Sequence, residues 1–254
     1  MPILPVAGQQ AYYAHRRPLV QRTAPVLLIH GAGGTHQNWL YQIRNLPHSL
    51  SLAPDLPGHG RSRGTGQATI AAYGDWLVSF LDAAGLPQAV LVGHSMGGAI
   101  ALDVALRYPE RVAGLGLIAT GARLPVAPAL LESLQQDPAA AVETLGTWAF
   151  GPQAPPEMVQ MGKRQIGATP VEVLRRDFLA CDAFDVRGQL SQIAQPALIV
   201  CGAQDRMTPV RYSVYLRDQI VGARLHLIDG AGHMIQIERP QAVARALSDW
   251  VEKL

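Results

Sequence analysis

Residues 89–105, AVLVGHSMGGAIALDVA, run from a short apolar stretch through a Gly-rich corner into residues whose apolar side chains recur every three or four positions. The first part reads as a strand and the last as a helix. Ser95 stands at the corner, with Gly93 and Gly97 on either side as G-x-S-x-G. A strand that enters a helix this abruptly strains the middle residue and leaves no room for Cβ atoms beside it. The hydroxyl therefore stands clear of the sheet. Behind it the helix N-terminus directs unpaired N–H groups and partial positive charge toward any oxyanion formed there. A Gly-Ser-Gly turn between any strand and helix would look similar, so its partners decide. A hydroxyl needs a general base to attack at neutral pH, and the base needs an acid to orient it.

Upstream, Pro25 opens VLLIH, a continuous apolar run of the kind seen where both faces of a parallel sheet are covered. It leads into HGAGG, His30 to Gly34, where three glycines imply close backbone approach. Paired with Ser95, this turn nominates the Ala32 N–H as one oxyanion donor and the Met96 N–H as the other. Residues 35–46 read as a helix and 51–55 as a strand, followed by LPGHGRS. There Asp55, Gly58, Gly60, Arg61 and Ser62 suit a structural corner, and His59 competes for the role of base. Gln9 to Arg17 suits an edge strand, and Thr69 to Ala84 has helical periodicity.

Downstream, Pro109 ends the nucleophile helix and 112–119 supplies a strand. From Arg123 to Gln192 the alternation of strands and helices lapses into helical pieces punctuated by seven prolines, which reads as a helical cap over residues 123–192. The core then comprises 1–122 and 193–254. Apolar cap residues, among them Leu130, Leu134, Trp148, Phe150, Met158, Met161 and Phe178, mostly suit the cap's own core. Trp148, Phe150 and Met158, with Met234 from the core, are the candidate pocket residues. Strand character returns at PALIVCG, 196–202, and Asp205 lies just past its carboxyl end, where open α/β sheets place their ligands. A further strand, 223–228, precedes DGAGHMIQIERP, so His233 also follows a strand. Residues 240–254 form an amphipathic closing helix.

Bulk properties narrow the classes. The 254 residues are 48% hydrophobic and 16% charged, which can bury a sizeable core and excludes a disordered or fibrous chain. Lys+Arg 21 against Asp+Glu 19, without a basic stripe, argues against nucleic acid as the main partner. Cys181 and Cys201 lack metal or redox spacing, and Cys201 inside ALIVCG suits a small buried hydrophobe. No apolar run reaches the roughly 18 residues of a bilayer span, and the N-terminus lacks the pattern of a signal peptide, so a cytoplasmic location with no membrane partner is expected. The sequence leaves the oligomeric state open, a homodimer included.

Ser95, Asp205 and His233 each follow an apolar run, in that order, with HGAGG upstream. Through HGAGG, DLPGHGRS, GHSMGG, CGAQDRMTP and AGHMIQIERP the chain resembles the α/β-hydrolase fold proteins. The resemblance implies a mostly parallel, roughly eight-stranded sheet flanked by helices, with an inserted helical cap. It also implies Ser95 as nucleophile, His233 as general base and then acid, and Asp205 as the orienting carboxylate, with no metal or organic cofactor. A serine at this position excludes the haloalkane dehalogenases and epoxide hydrolases of this fold, which use an aspartate there.

The leading expectation is a hydrolase of small to medium apolar carboxylic esters acting through an acyl-serine. With the same triad, cleavage of a carbon–carbon bond in a ring-fission dienoate, or opening of an enol-lactone, is the alternative. Such substrates carry carboxylates and would need an inward-facing base from the cap, with Arg123, Lys163, Arg164 and Arg175 as candidates. A third reading is a small-molecule receptor that retains the triad.

Overall fold

In the computed structural model, which describes residues 2–254, the strands are β1 (Ile3–Val6), β2 (Gln9–Arg16), β3 (Val26–Ile29), β4 (Ser51–Pro54), β5 (Ala89–His94), β6 (Val112–Ile118), β7 (Ala197–Gly202) and β8 (Arg224–Ile228). The helices are α1 (Leu40–Arg44), α2 (Ile70–Ala83), α3 (Met96–Arg107), α4 (Pro128–Gln136), α5 (Pro138–Ala149), α6 (Pro156–Gly167), α7 (Val171–Asp182), α8 (Val210–Gln219), α9 (Ile235–Glu238) and α10 (Pro240–Val251). All eight strands join one sheet in the order β1-β2-β4-β3-β5-β6-β7-β8. Pairing is antiparallel from β1 through β2 to β4 and parallel from β4 to β8.

Burial on both faces explains the unbroken apolar strands. Along β3, Leu27 and Ile29 enter one core with residues of α2 and α3, while Val26 and Leu28 enter a second with residues of α1 and α10. β5 divides the same way, Leu91 to the first core and Val90 and Val92 to the second. Successive strand side chains point to opposite faces, so one apolar run serves both layers. Each fully buried Leu, Ile or Val contributes about 1.5–3 kcal/mol. The parallel strands all end on one edge, and the loops leaving that edge carry the candidate site.

The β2 expectation needs one correction. β2 is flanked by β1 and β4, and the outer position belongs to β1. Four residues are too few to show alternation, and Pro5 is tolerated there because an edge strand has no neighbour on one side. Between β6 and β7 the chain forms α4 to α7 and adds no strand to the sheet. The two ends of this insertion meet where Arg123 pairs with Asp185 and the Val186 N–H donates to the Ala122 carbonyl (2.9 Å). Among the described residues no helix is long and apolar enough to cross a membrane.

Candidate active site

Ser95 occupies the junction of β5 and α3 with φ 53° and ψ −119°, left-handed backbone that a non-glycine residue adopts only when its surroundings enforce it. Its N–H donates to the Ile118 carbonyl (2.9 Å), and Thr120 Oγ1 donates to the Ser95 carbonyl (2.7 Å). A Cβ on Gly93 would collide with the Gly97 backbone, and one on Gly97 with the Ile29 carbonyl, so both glycines are required for α3 to lie against β5 and β3. The corner is thus held by close backbone packing across three segments.

Asp205 and His233, on loops after β7 and β8, meet through a 2.9 Å hydrogen bond between Asp205 Oδ2 and His233 Nδ1. Asp205 Oδ1 also accepts from the N–H groups of Met207 (2.9 Å) and Thr208 (2.8 Å), and Oδ2 from Thr208 Oγ1 (2.7 Å). Burial alone would raise the Asp205 pKa; the His233 partner and the Thr208 donors outweigh it and leave the pKa below the ordinary value. With Nδ1–H given to a carboxylate, a neutral His233 keeps the Nε2 lone pair free to accept a proton. His94 Nε2–H donates to the His233 carbonyl (2.9 Å). Burial, followed by the charge of nearby His233, pushes the His94 pKa down to about 3, so His94 stays uncharged beside it.

Ser95 and His233 line one cavity of about 60 Å³, together with Gly31 to Gly34, Leu145, Phe150, Leu174, Phe178, Cys181 and Met234 among others. Among the described residues no hydrogen bond joins Ser95 Oγ to His233, and contacts of this kind are often long until substrate closes the site. The Ala32 and Met96 N–H groups, at the glycine turn and the first residue of α3, likewise have no acceptor among the described residues. Phe150 and Met234 line this cavity, whereas Trp148 and Met158 do not. Trp148 is a correction: on α5 the buried stripe runs through Ala141, Leu145 and Ala149, and Trp148 lies off it, 40% exposed. Met158 lines a neighbouring outer groove, and no residue of α6 is buried, so Met158 and Met161 are not cap core. None of Arg123, Lys163, Arg164 or Arg175 lines the Ser95 cavity. Lys163 pairs with Glu143 and Arg175 with Glu172.

Two buried carboxylates that sequence reasoning did not single out tie the inserted helices to the loops at the carboxyl edge of the sheet. Asp177 of α7 is fully buried; its Oδ2 accepts from the Gly33 N–H (3.1 Å) and from His59 Nε2 (2.8 Å), and its Oδ1 from the Tyr73 hydroxyl (2.5 Å). His59 Nδ1 faces the Pro57 carbonyl at 3.1 Å, so both ring nitrogens must donate and His59 is an imidazolium. Burial opposes that charge, but Asp177 overrides it and raises the His59 pKa. This spends His59 in a buried ion pair and removes it from competition for the role of base. Glu238 at the end of α9 accepts from the N–H groups of Gly151 (2.9 Å) and Gly232 (3.0 Å), and burial raises its pKa. A signal for Asp177 was present: it falls on the apolar stripe of α7 with Val173, Leu174, Phe178 and Cys181, where a carboxylate must find buried donors. The corner residue Asp55 accepts from the His36 and Arg61 N–H groups (2.7 and 2.9 Å) and from His36 Nδ1 (2.8 Å), which fixes the DLPGHGRS turn against the segment after HGAGG.

A sheet of this order, with a strained serine at the β5–α3 corner and an Asp–His pair after β7 and β8, defines the class. The family model of the α/β hydrolase fold matches residues 24–240, and the chain belongs to that family. It is 30% identical to the pimeloyl-[acyl-carrier protein] methyl ester esterase of Neisseria meningitidis over 93% of this chain and 96% of that protein. It is also 30% identical to 3-oxoadipate enol-lactonase 2 of Acinetobacter baylyi, over 89% of this chain and 88% of that one. The solved structure of a thermophilic esterase superposes with a TM-score of 0.88 at 30% identity, covering 99% of this chain and 97% of that one.

Proposed function

We propose that this protein hydrolyses carboxylic esters through an acyl-serine, with Ser95 as nucleophile, His233 as general base and then acid, Asp205 as its orienting carboxylate, and the Ala32 and Met96 N–H groups as the oxyanion donors. The observation that carries the reading is the buried Asp205–His233 hydrogen bond on the cavity that Ser95 and Ala32 line, with the Ala32 and Met96 N–H groups lacking an acceptor among the described residues. His233 takes the Ser95 proton as Oγ attacks the carbonyl, then returns it to the departing alcohol. Water activated by the same imidazole releases the acid. Residues 123–192 act as the cap, and walls from this segment select the substrate.

Esters are favoured over dienoates and enol-lactones because the wall of the Ser95 cavity is mostly apolar and, among the described residues, carries no Arg or Lys side chain for a carboxylate beside the reacting carbonyl; Arg164 lines only the outer groove. The names of both relatives are compatible with an acyl-transfer hydrolase, and they differ in substrate. The test is mass spectrometry after exposure to a fluorophosphonate, with turnover of ethyl acetate followed in parallel. A single adduct on the peptide containing Ser95, with loss of turnover, is expected. An adduct elsewhere, or turnover undiminished by the adduct, removes Ser95 from the role. Labelling of Ser95 without multiple turnover on any ester would favour the receptor reading.

A further inference from the structure

The cavity at Ser95 is small, about 60 Å³. Sites for drug-sized ligands occupy about 300–1,000 Å³. The bulk of any sizeable substrate therefore lies outside this cavity. Beside it runs a groove of about 1050 Å³ between α6 and the segments holding α1 and α9. Four residues, Asn38, Phe150, Gly162 and Gln165, line both spaces and so form the wall between them. Phe150 lies against Gly162 closely enough that a Cβ there would sit 2.5 Å from the ring, and Gln165 Nε2 donates to Asn38 Oδ1 (2.8 Å). The wall is thus an aromatic ring against a bare backbone plus one amide pair, with no covalent or ionic closure.

A second observation concerns α6 itself. Twelve residues long, it fully buries none of them: Ile166 packs partly buried against Leu130, Leu145 and their neighbours, whereas Met158 and Met161 do not join that cluster. Isolated helices of this length are marginal in water, and their stability comes from covering an apolar face. Met158 and Met161 line the groove with Leu40, Tyr41 and Ile237, and Met161 is 63% exposed; the lining also includes the charged side chains of Arg61, Glu157 and Arg164. Apolar side chains left open around a concavity mark a ligand groove, and methionines adapt to chains of varied shape.

We infer that the groove is a second substrate compartment: it holds the long, flexible, mostly apolar half of an elongated ester, while the Ser95 cavity holds the ester group and only a short group on its other side, with Phe150 turning aside where the chain passes. This rests on the ester-hydrolase reading and adds the substrate class to it. The variants are Ala168→Trp, which fills the groove from an exposed position outside the Ser95 lining, and Met161→Asp, which sets a charge against the chain. For each, kcat/KM is measured on decyl acetate and methyl decanoate and divided by the value on ethyl acetate. Independently, binding of methyl decyl ketone, an uncleavable analogue, is measured on the Ser95→Ala protein with and without each groove variant.

At least one of the two ratios should fall about tenfold, with ketone affinity falling in step. Ester turnover with both ratios and the ketone affinity unchanged overturns the groove and leaves the hydrolase reading standing. Weakened ketone binding in a protein that turns over no ester supports the groove and removes the reaction. Neither turnover nor ketone binding by the unaltered groove overturns both.

Discussion

At the scale of single residues, the proposed mechanism separates groups that must change charge from groups that must not. Ser95→Ala removes only an oxygen at a corner held by backbone packing, so the fold should persist while turnover falls on the order of a million-fold, about 8 kcal/mol of barrier. A purified variant retaining a tenth of the activity would end the assignment. Two histidines follow Gly-rich turns, and their hydrogen bonds distinguish them. His233 faces Asp205 through one nitrogen and leaves the other without a partner among the described residues, whereas both nitrogens of His59 are engaged, by Pro57 and Asp177. His233→Ala should therefore abolish turnover even at saturating substrate. A variant still active at high substrate concentration would show that His233 only binds.

At the scale of elements, α7 uses Asp177 to hold the turn proposed to supply an oxyanion donor. Its carboxylate holds the N–H of Gly33, next to Ala32, so the docking of an inserted helix sets the geometry of a donor on the core. Asp177→Ala would leave the His59 imidazolium, the Tyr73 hydroxyl and the Gly33 N–H buried without an acceptor, and should cost about 3–5 kcal/mol of stability. Asp177→Asn keeps an acceptor oxygen without the charge. With it the protein should still fold, and kcat should drop by about tenfold or more with KM little changed, because the oxyanion donors act chiefly in the transition state. Steady-state kinetics check this: a rise in KM alone would mean that Asp177 shapes binding and leaves the oxyanion turn untouched. α5 shows the converse, a helix whose periodicity announces an apolar stripe while its largest aromatic, Trp148, points off it.

At the scale of the whole molecule, the buried histidines set the acid limit. His30 and His94 are held neutral, mainly by burial, with pKa values lowered to about 4 and about 3. Below about pH 6.5 the unfolded chain protonates both while the folded chain does not, so stability falls as pH drops toward those values. At about 1.4 kcal/mol per pKa unit the loss reaches several kcal/mol. His59 has the opposite sign. Its raised pKa contributes stability fully present below about 6.5 and lost as pH rises through the folded value, so it cannot offset the acid loss. The urea midpoint should decline steadily between about pH 6.5 and 4, and the slope should shrink in His94→Gln; an equal slope in that variant would assign the titration elsewhere.

The sequence by itself determined the layered α/β plan, because apolar periodicity and strand–helix alternation are local properties that burial on two faces imposes residue by residue. It likewise determined the serine corner, since the steric demand for glycine at 93 and 97 is written within five residues, and it marked the loops on which Asp205 and His233 stand. Only the tertiary structure decided what those loops meet. Asp177 reaches His59 across 118 positions, and an acidic residue on an apolar stripe announces a need for buried donors without naming them. Which cap side chains wall the cavity was decided there too. Inward and outward positions on a short helix differ by about 100° per residue, and the direction that counts as inward is set by the sheet and the other inserted helices against which it packs.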